Sequence, residues 1–170
     1  SAPDLSPTLP EPTTMALTAT PVTVGTRSLN TYDFAEYVKE KVKPEGDSIE
    51  VFHHARTQWA TPDQFTRIST RKSGGLYGKG FYTSTRPEKG YGAYEFDLKL
   101  PVAKLAGHKV LELAEWSGFN DTDALPAGVD VLAVKAGDHT WFVFKPGSEW
   151  WVNAASTESD FDKPGEPSGP

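Results

Sequence analysis

The chain has 170 residues, 37% of them apolar, a formal net charge of −6 at pH 7 and no cysteine. That length supports one domain with a real core, which five tryptophans and nine phenylalanines can fill. The charge argues against a general nucleic-acid or membrane-surface binder, and the lack of cysteine excludes disulfides, thiolate metal sites and a cysteine nucleophile.

Residues 1–22 are rich in Pro, Ser and Thr, which is linker chemistry. No apolar run approaches the roughly 18–20 residues that span a bilayer, and the start of the chain lacks a signal-peptide pattern, so export would depend on a segment upstream. Residues 156–170 are acidic and then Pro/Gly-rich, and read as a flexible tail. The folded unit is therefore expected over 23–155, with no internal repeat.

In chain order, "LNTYDFAEYVKEKVK" comes first. Phe34, Tyr37, Val38, Lys41 and Val42 recur at helical spacing, and Asn30 with Asp33 supplies a start signal, so the segment predicts an amphipathic helix. "SIEVFHHA" reads as a strand, "GKGFYTST" as a short strand after a glycine loop, and "AYEFDLKLP" as an alternating strand stopped by Pro101. "HKVLEL", "VDVLAVKAG", "HTWFVFKP" and "SEWWVNAA" follow as strands, the last three spaced like an antiparallel meander. Between them, "SGFNDTDALPAG" reads as loop or short helix. A helix or two on a strand-rich core makes an α+β domain.

The glycine loop has neither the P-loop nor the dinucleotide-fold spacing, and no G-x-S-x-G elbow is present. His53 and His54 are adjacent in a strand and so point to opposite faces, which argues against both serving one metal ion with His108 or His139. One of the pair faces the core or a cleft and its neighbour faces away. Gly74, Gly75, Gly78 and Gly80 let the backbone take φ > 0 or approach a ligand closely, and Tyr77, Phe81 and Tyr82 stand among them.

"VFHHART" followed by "GGLYGKGFYTSTRPEKGYGAY" resembles the ADP-ribosyltransferase superfamily of the diphtheria-toxin and poly(ADP-ribose) polymerase type. The resemblance covers roughly residues 49–153 and is strongest in the first half. It implies an ADP-ribosyltransferase-like fold of split antiparallel β-sheets with a few flanking helices, and NAD as the substrate. On this alignment His53 takes the family histidine's place and Tyr82 the family tyrosine's, with Tyr94 or Tyr91 as the second tyrosine. His54 stands where the family has glycine, so the backbone of His54, Ala55 and Arg56 would hold the nicotinamide, beside Gly78 and Gly80.

The catalytic carboxylate has two candidates. "GSEWWVNA" resembles the family's glutamate strand and points to Glu149, whereas the family's strand order points to Asp138. Arg56, Arg67, Arg71, Lys72 and Lys79 are candidates for the pyrophosphate. The resemblance further implies a toxin domain of a larger secreted or delivered bacterial effector, with a macromolecular ADP-ribose acceptor or water as the second substrate and a cognate immunity protein as a partner. Residues 115–127, with Trp116 and Phe119, would be the acceptor-recognition loop, unless those aromatics are core. No metal and no membrane contact are expected. The rival readings are a catalytically inactive module of the same fold that binds a nucleotide or a protein, and an unrelated interaction domain whose glycines only make tight hairpins.

Overall fold

The computed structural model describes residues 17–55, 76–88, 94–120, 124–148, 150–151 and 156–157. Strands β1 (Thr20–Val24) and β2 (Arg27–Asp33) form a hairpin around Gly25, whose φ of 63° suits glycine. The first strand thus begins inside the segment read as linker.

The helix starts at Phe34, the first of its periodic residues, and only one of the two start signals caps it. Asn30 lies in β2, because residues 30–33 pair with the strand at 109–112 and that ladder takes their backbone groups. Asp33 caps the helix instead, its side chain accepting from the Glu36 amide at 3.2 Å. Helix α1 (Phe34–Tyr37) then runs directly into a π-helical turn (Val38–Val42), which ends at Lys43 in a left-handed conformation.

Five further strands follow the expected order: β3 (Ser48–Ala55), β4 (Phe81–Ser84), β5 (Tyr94–Pro101), β6 (Lys109–Ala114) and β7 (Val129–Ala136). A 3-10 turn (Val102–Leu105) sits between β5 and β6. β8 (His139–Phe144) pairs antiparallel with β7 across a turn at Gly137, and β9 (Ser156–Thr157) completes the set. The described strands make one mixed sheet in the order β1-β2-β6-β7-β8-β4-β3-β5-β9, in which β6 and β7 run parallel. The domain is therefore β-rich α+β.

The antiparallel meander expected at the end of the chain stops after β8. Trp150 and Trp151 are helical rather than extended, and β9 lies at the far edge, on β5. A strand would send two adjacent indoles to opposite faces. The helical turn lets both pack on the same core, Trp151 against Phe81 and Trp150 against Phe34.

Two apolar clusters cover the two faces of the sheet. β7 shows the division: Val131 and Ala133 belong to one cluster with Phe34, Phe81 and Phe142, and Leu132 and Val134 to the other with Tyr77 and Val143. β3 and β5 pair along all eight residues from Ser48↔Pro101 to Ala55↔Tyr94, but β3 meets β4 through the single pair Phe52↔Ser84. This narrow seam brings the two predicted motifs together.

Candidate functional site

The register across the seam assigns each side chain to a face. Phe52 and Ser84 are paired, so they share a face, and period-two alternation puts His54 and Tyr82 there with them. Glu95 is opposite His54 on β5, and Trp141 is opposite Ser84 on β8. His139, two residues before Trp141, joins the same face. His53 and Phe81 are on the other.

His53 is accordingly part of the helix-side core. Its ring stacks on Phe81 at 4.0 Å and leans on Phe96, and its Nδ1 lies 2.7 Å from the Tyr82 carbonyl. An N–H must make that bond, so Nδ1 carries the proton and Nε2 the lone pair. Burial pushes the imidazole down to about 4, with the Tyr82 carbonyl opposing and the neighbouring His54 adding to the shift. His53 is neutral at pH 7. It reaches the Tyr82 backbone, while the Tyr82 ring points to the opposite side.

His54 faces away from His53, as alternation requires, and is buried on its own side of the sheet. Its side chain is 2% exposed and both ring nitrogens are engaged. Nδ1 accepts from the Glu88 amide at 3.3 Å, so Nε2 is the protonated nitrogen and donates to Glu95 Oε1 at 3.2 Å. Glu95 is the outward end of this pair, with 31% of its side chain exposed.

Tyr82 shapes the glycine loop. Its hydroxyl donates to the Gly78 carbonyl at 2.6 Å and accepts from the Tyr77 amide at 3.1 Å, and its ring lies edge-on to Trp141 and tilted against Tyr77. Gly78 has a φ of 79°, and a Cβ on Gly80 would stand 2.6 Å from Val143 Cγ1. Glycine is required at both positions, for conformation at the first and for space at the second. The buried Lys145, which sequence reasoning missed, ties the loop down from below. Its Nζ donates to the Tyr77 carbonyl at 2.9 Å and lies 5.2 Å from the centre of the Phe119 ring.

Asp138 lies on the turn before β8, with 78% of its side chain exposed. A hydrogen bond with His139, and next the Arg86 guanidinium, hold its carboxyl below the usual carboxylate range. Arg86 also reaches Glu88, and Glu88 approaches His139 Nε2 at 3.2 Å. The chain after β4 is thereby fastened to the β7–β8 turn, over His54. Glu95 and Glu88 escaped sequence reasoning, and His139 was weighed there only as a metal ligand. Strand register and the contacts it creates bring them together around His54, which one-dimensional spacing does not carry.

Other expected residues are less fully placed. Glu149, Tyr91, Arg56, Arg67, Arg71, Lys72, Gly74 and Gly75 lie outside the described residues, and of Ala55 and Tyr94 the structure describes the backbone, where they pair with each other. Lys79 stands between Gly78 and Gly80. In the segment 115–127 the two aromatics part: Trp116 is 77% exposed at a φ of 70°, and Phe119 is buried in the core. An open cleft of about 580 Å³ adjoins this turn, lined by Thr26, Arg27, Ser117 and Asn120 among others. Among the described residues no three or more His, Cys, Asp or Glu gather to hold a metal ion, and no helix is long and apolar enough to cross a membrane. Compared with family models, with curated proteins and with solved structures, the chain has no match.

Proposed function

We propose that this domain binds NAD⁺ and breaks its nicotinamide–ribose bond, passing ADP-ribose to a macromolecule or to water, with an ADP-ribosyltransferase-like arrangement of the site. The observation that carries this reading is the shared face at the seam: Tyr82 and Trp141, then His54 with Glu95, beside a glycine loop. NAD⁺ has a cationic leaving group on a sugar, so its cleavage needs an aromatic surface for the ring and polar groups for the ribose. Aromatic contact with a cation supplies about 0.5–2 kcal/mol, more as water is excluded. A carboxylate near the ribose stabilises the oxocarbenium-like transition state, as in glycoside hydrolysis. Of the sequence candidates, Glu149 and Asp138 remain proposals for that group.

In this reading His53 is a neutral strut that fixes the Tyr82 backbone, and the ribose meets the His54 side of the strand. Gly78 and Gly80 let the loop backbone approach the dinucleotide, and the exposed Trp116 is a contact for a macromolecular acceptor. The origin in a larger secreted effector, with an immunity protein as partner, belongs to the same proposal and rests on the resemblance. A second reading, an inactive binding module, is favoured by one observation: the Tyr82 hydroxyl and both His54 nitrogens already have partners within the protein.

The test follows nicotinamide release from NAD⁺ by the purified chain, with and without a cell lysate. Release that falls by on the order of 10² or more in Tyr82→Ala and His54→Ala supports the enzyme. Release only with lysate identifies a transferase. NAD⁺ binding with no release under either condition would leave the binding module.

A further inference from the structure

We infer that Glu95 is the catalytic carboxylate of this site and that His54 is the residue that positions it; the inference rests on the NAD⁺-cleaving reading above. The faces of the sheet discriminate among the acids. Glu95 is directly opposite His54 in the β3–β5 register, on the face that carries Tyr82 and Trp141. The neighbours of Glu149 in the chain pack elsewhere: Trp150 lies edge-on to Phe34 and Trp151 stacks on Phe81, both in the helix-side core behind the sheet. Asp138 lies on the β7–β8 turn, and its carboxylate accepts from Arg86 and pairs with His139.

Glu95 combines access with orientation. It is the exposed end of a pair whose other member is 2% exposed, so a substrate meets the carboxylate first and the imidazole stands behind it. The Glu88 amide occupies His54 Nδ1, which commits Nε2–H to Glu95. One carboxylate oxygen is held by that donor, and 31% of the Glu95 side chain remains exposed. A buried imidazole that orients a half-exposed carboxylate is a preorganised arrangement, since neither group has to reorganise as charge develops.

The chemistry balances without a further reagent. The C1′–N bond breaks and its electron pair goes to the pyridinium nitrogen, which leaves as neutral nicotinamide. Negative charge on Glu95 stabilises the cationic ribosyl group and accepts a hydrogen bond from a ribose hydroxyl. The oxygen of water or of the acceptor then bonds to C1′, and its proton passes to Glu95 and on to solvent.

The experiment compares Glu95→Gln, Glu149→Gln and Asp138→Asn in steady-state nicotinamide release. Glutamine at 95 still accepts from His54 Nε2, so the fold is kept, which a thermal melt checks. The expected result is a kcat lower by on the order of 10²–10³ in Glu95→Gln with KM for NAD⁺ little changed, and near-normal rates in the other two. Removal of the donor in His54→Phe is expected to lower kcat with KM for NAD⁺ little changed, and His54→Gln, which keeps an N–H donor toward Glu95, is expected to restore much of the rate. Full activity in Glu95→Gln, with Glu149→Gln or Asp138→Asn silent, overturns the assignment and leaves NAD⁺ cleavage standing. Equal rates in His54→Phe and His54→Gln overturn the positioning role of His54. A wild-type chain that releases no nicotinamide, with or without lysate, overturns both the cleavage reading and this assignment.

Discussion

His53 and His54 are one residue apart and have opposite surroundings. The first is stacked between core aromatics, neutral, and bonded to a backbone carbonyl; the second is boxed by polar groups and paired with a half-exposed carboxylate. The same contrast extends across the seam. Phe81 lies under Trp151 and against His53, while Tyr82, next in the chain, closes the glycine loop and meets Trp141. Both sides of β3 and β4 pack against apolar clusters, and the Tyr82 side also carries the His54–Glu95 pair. A strand supplies a core and a site at once because its side chains alternate, so substitutions on the His53 face should cost stability and those on the Tyr82 face should cost activity as well.

The largest expected effect on the core face comes from Phe81→Ala, which removes the ring shared by His53 and Trp151. Denaturant unfolding should show a loss of about 3–5 kcal/mol. A loss below about 1 kcal/mol would break the contrast. Next is the acid response of His53. Its folded value of about 4 lies below the ordinary 6.5, so between these values the unfolded chain binds a proton that the native chain does not. The stability it contributes is therefore full above pH 6.5 and is lost as pH falls, by about 3 kcal/mol at pH 4. His53→Phe, which keeps a ring on Phe81, should flatten this part of the stability profile.

Gly80→Ala sharpens the comparison at the loop. The added methyl would meet Val143 Cγ1 at 2.6 Å and the Phe144 carbonyl at 3.0 Å, so β8 must shift, at about 1–3 kcal/mol by thermal or denaturant unfolding. Tyr82→Phe keeps the ring and deletes the hydroxyl that joins Tyr77 to Gly78, for about 1 kcal/mol of stability. Arg86→Ala is expected to have the smallest effect on folding. It removes an exposed contact to Asp138, and a melt should show no resolvable change.

Much of the β architecture was legible in the chain. "SIEVFHHA", "VDVLAVKAG" and "HTWFVFKP" all became strands because apolar and β-branched residues crowd them and Gly or Pro bounds them. The helix over 34–42 was visible in its periodicity, and of its two start signals Asp33 is the cap while pairing on both sides of β2 holds Asn30 in a strand. "SEWWVNAA" misled for a related reason. Two indoles satisfied strand propensity, and packing both against one core required a helical turn.

The candidate site was half legible. Sequence pattern alone brought the His-His strand and the glycine loop into one proposal, and alternation established that the two histidines oppose each other. Which of them shares a face with Tyr82 was decided only by the pairing of Phe52 with Ser84, and the placement of Glu95 against His54 only by the register of β5. Composition and period-two spacing are local properties of a strand. The identity of the face toward the core, and the partners gathered on the other, are set by register between strands distant in sequence, and a shift of one residue would exchange them.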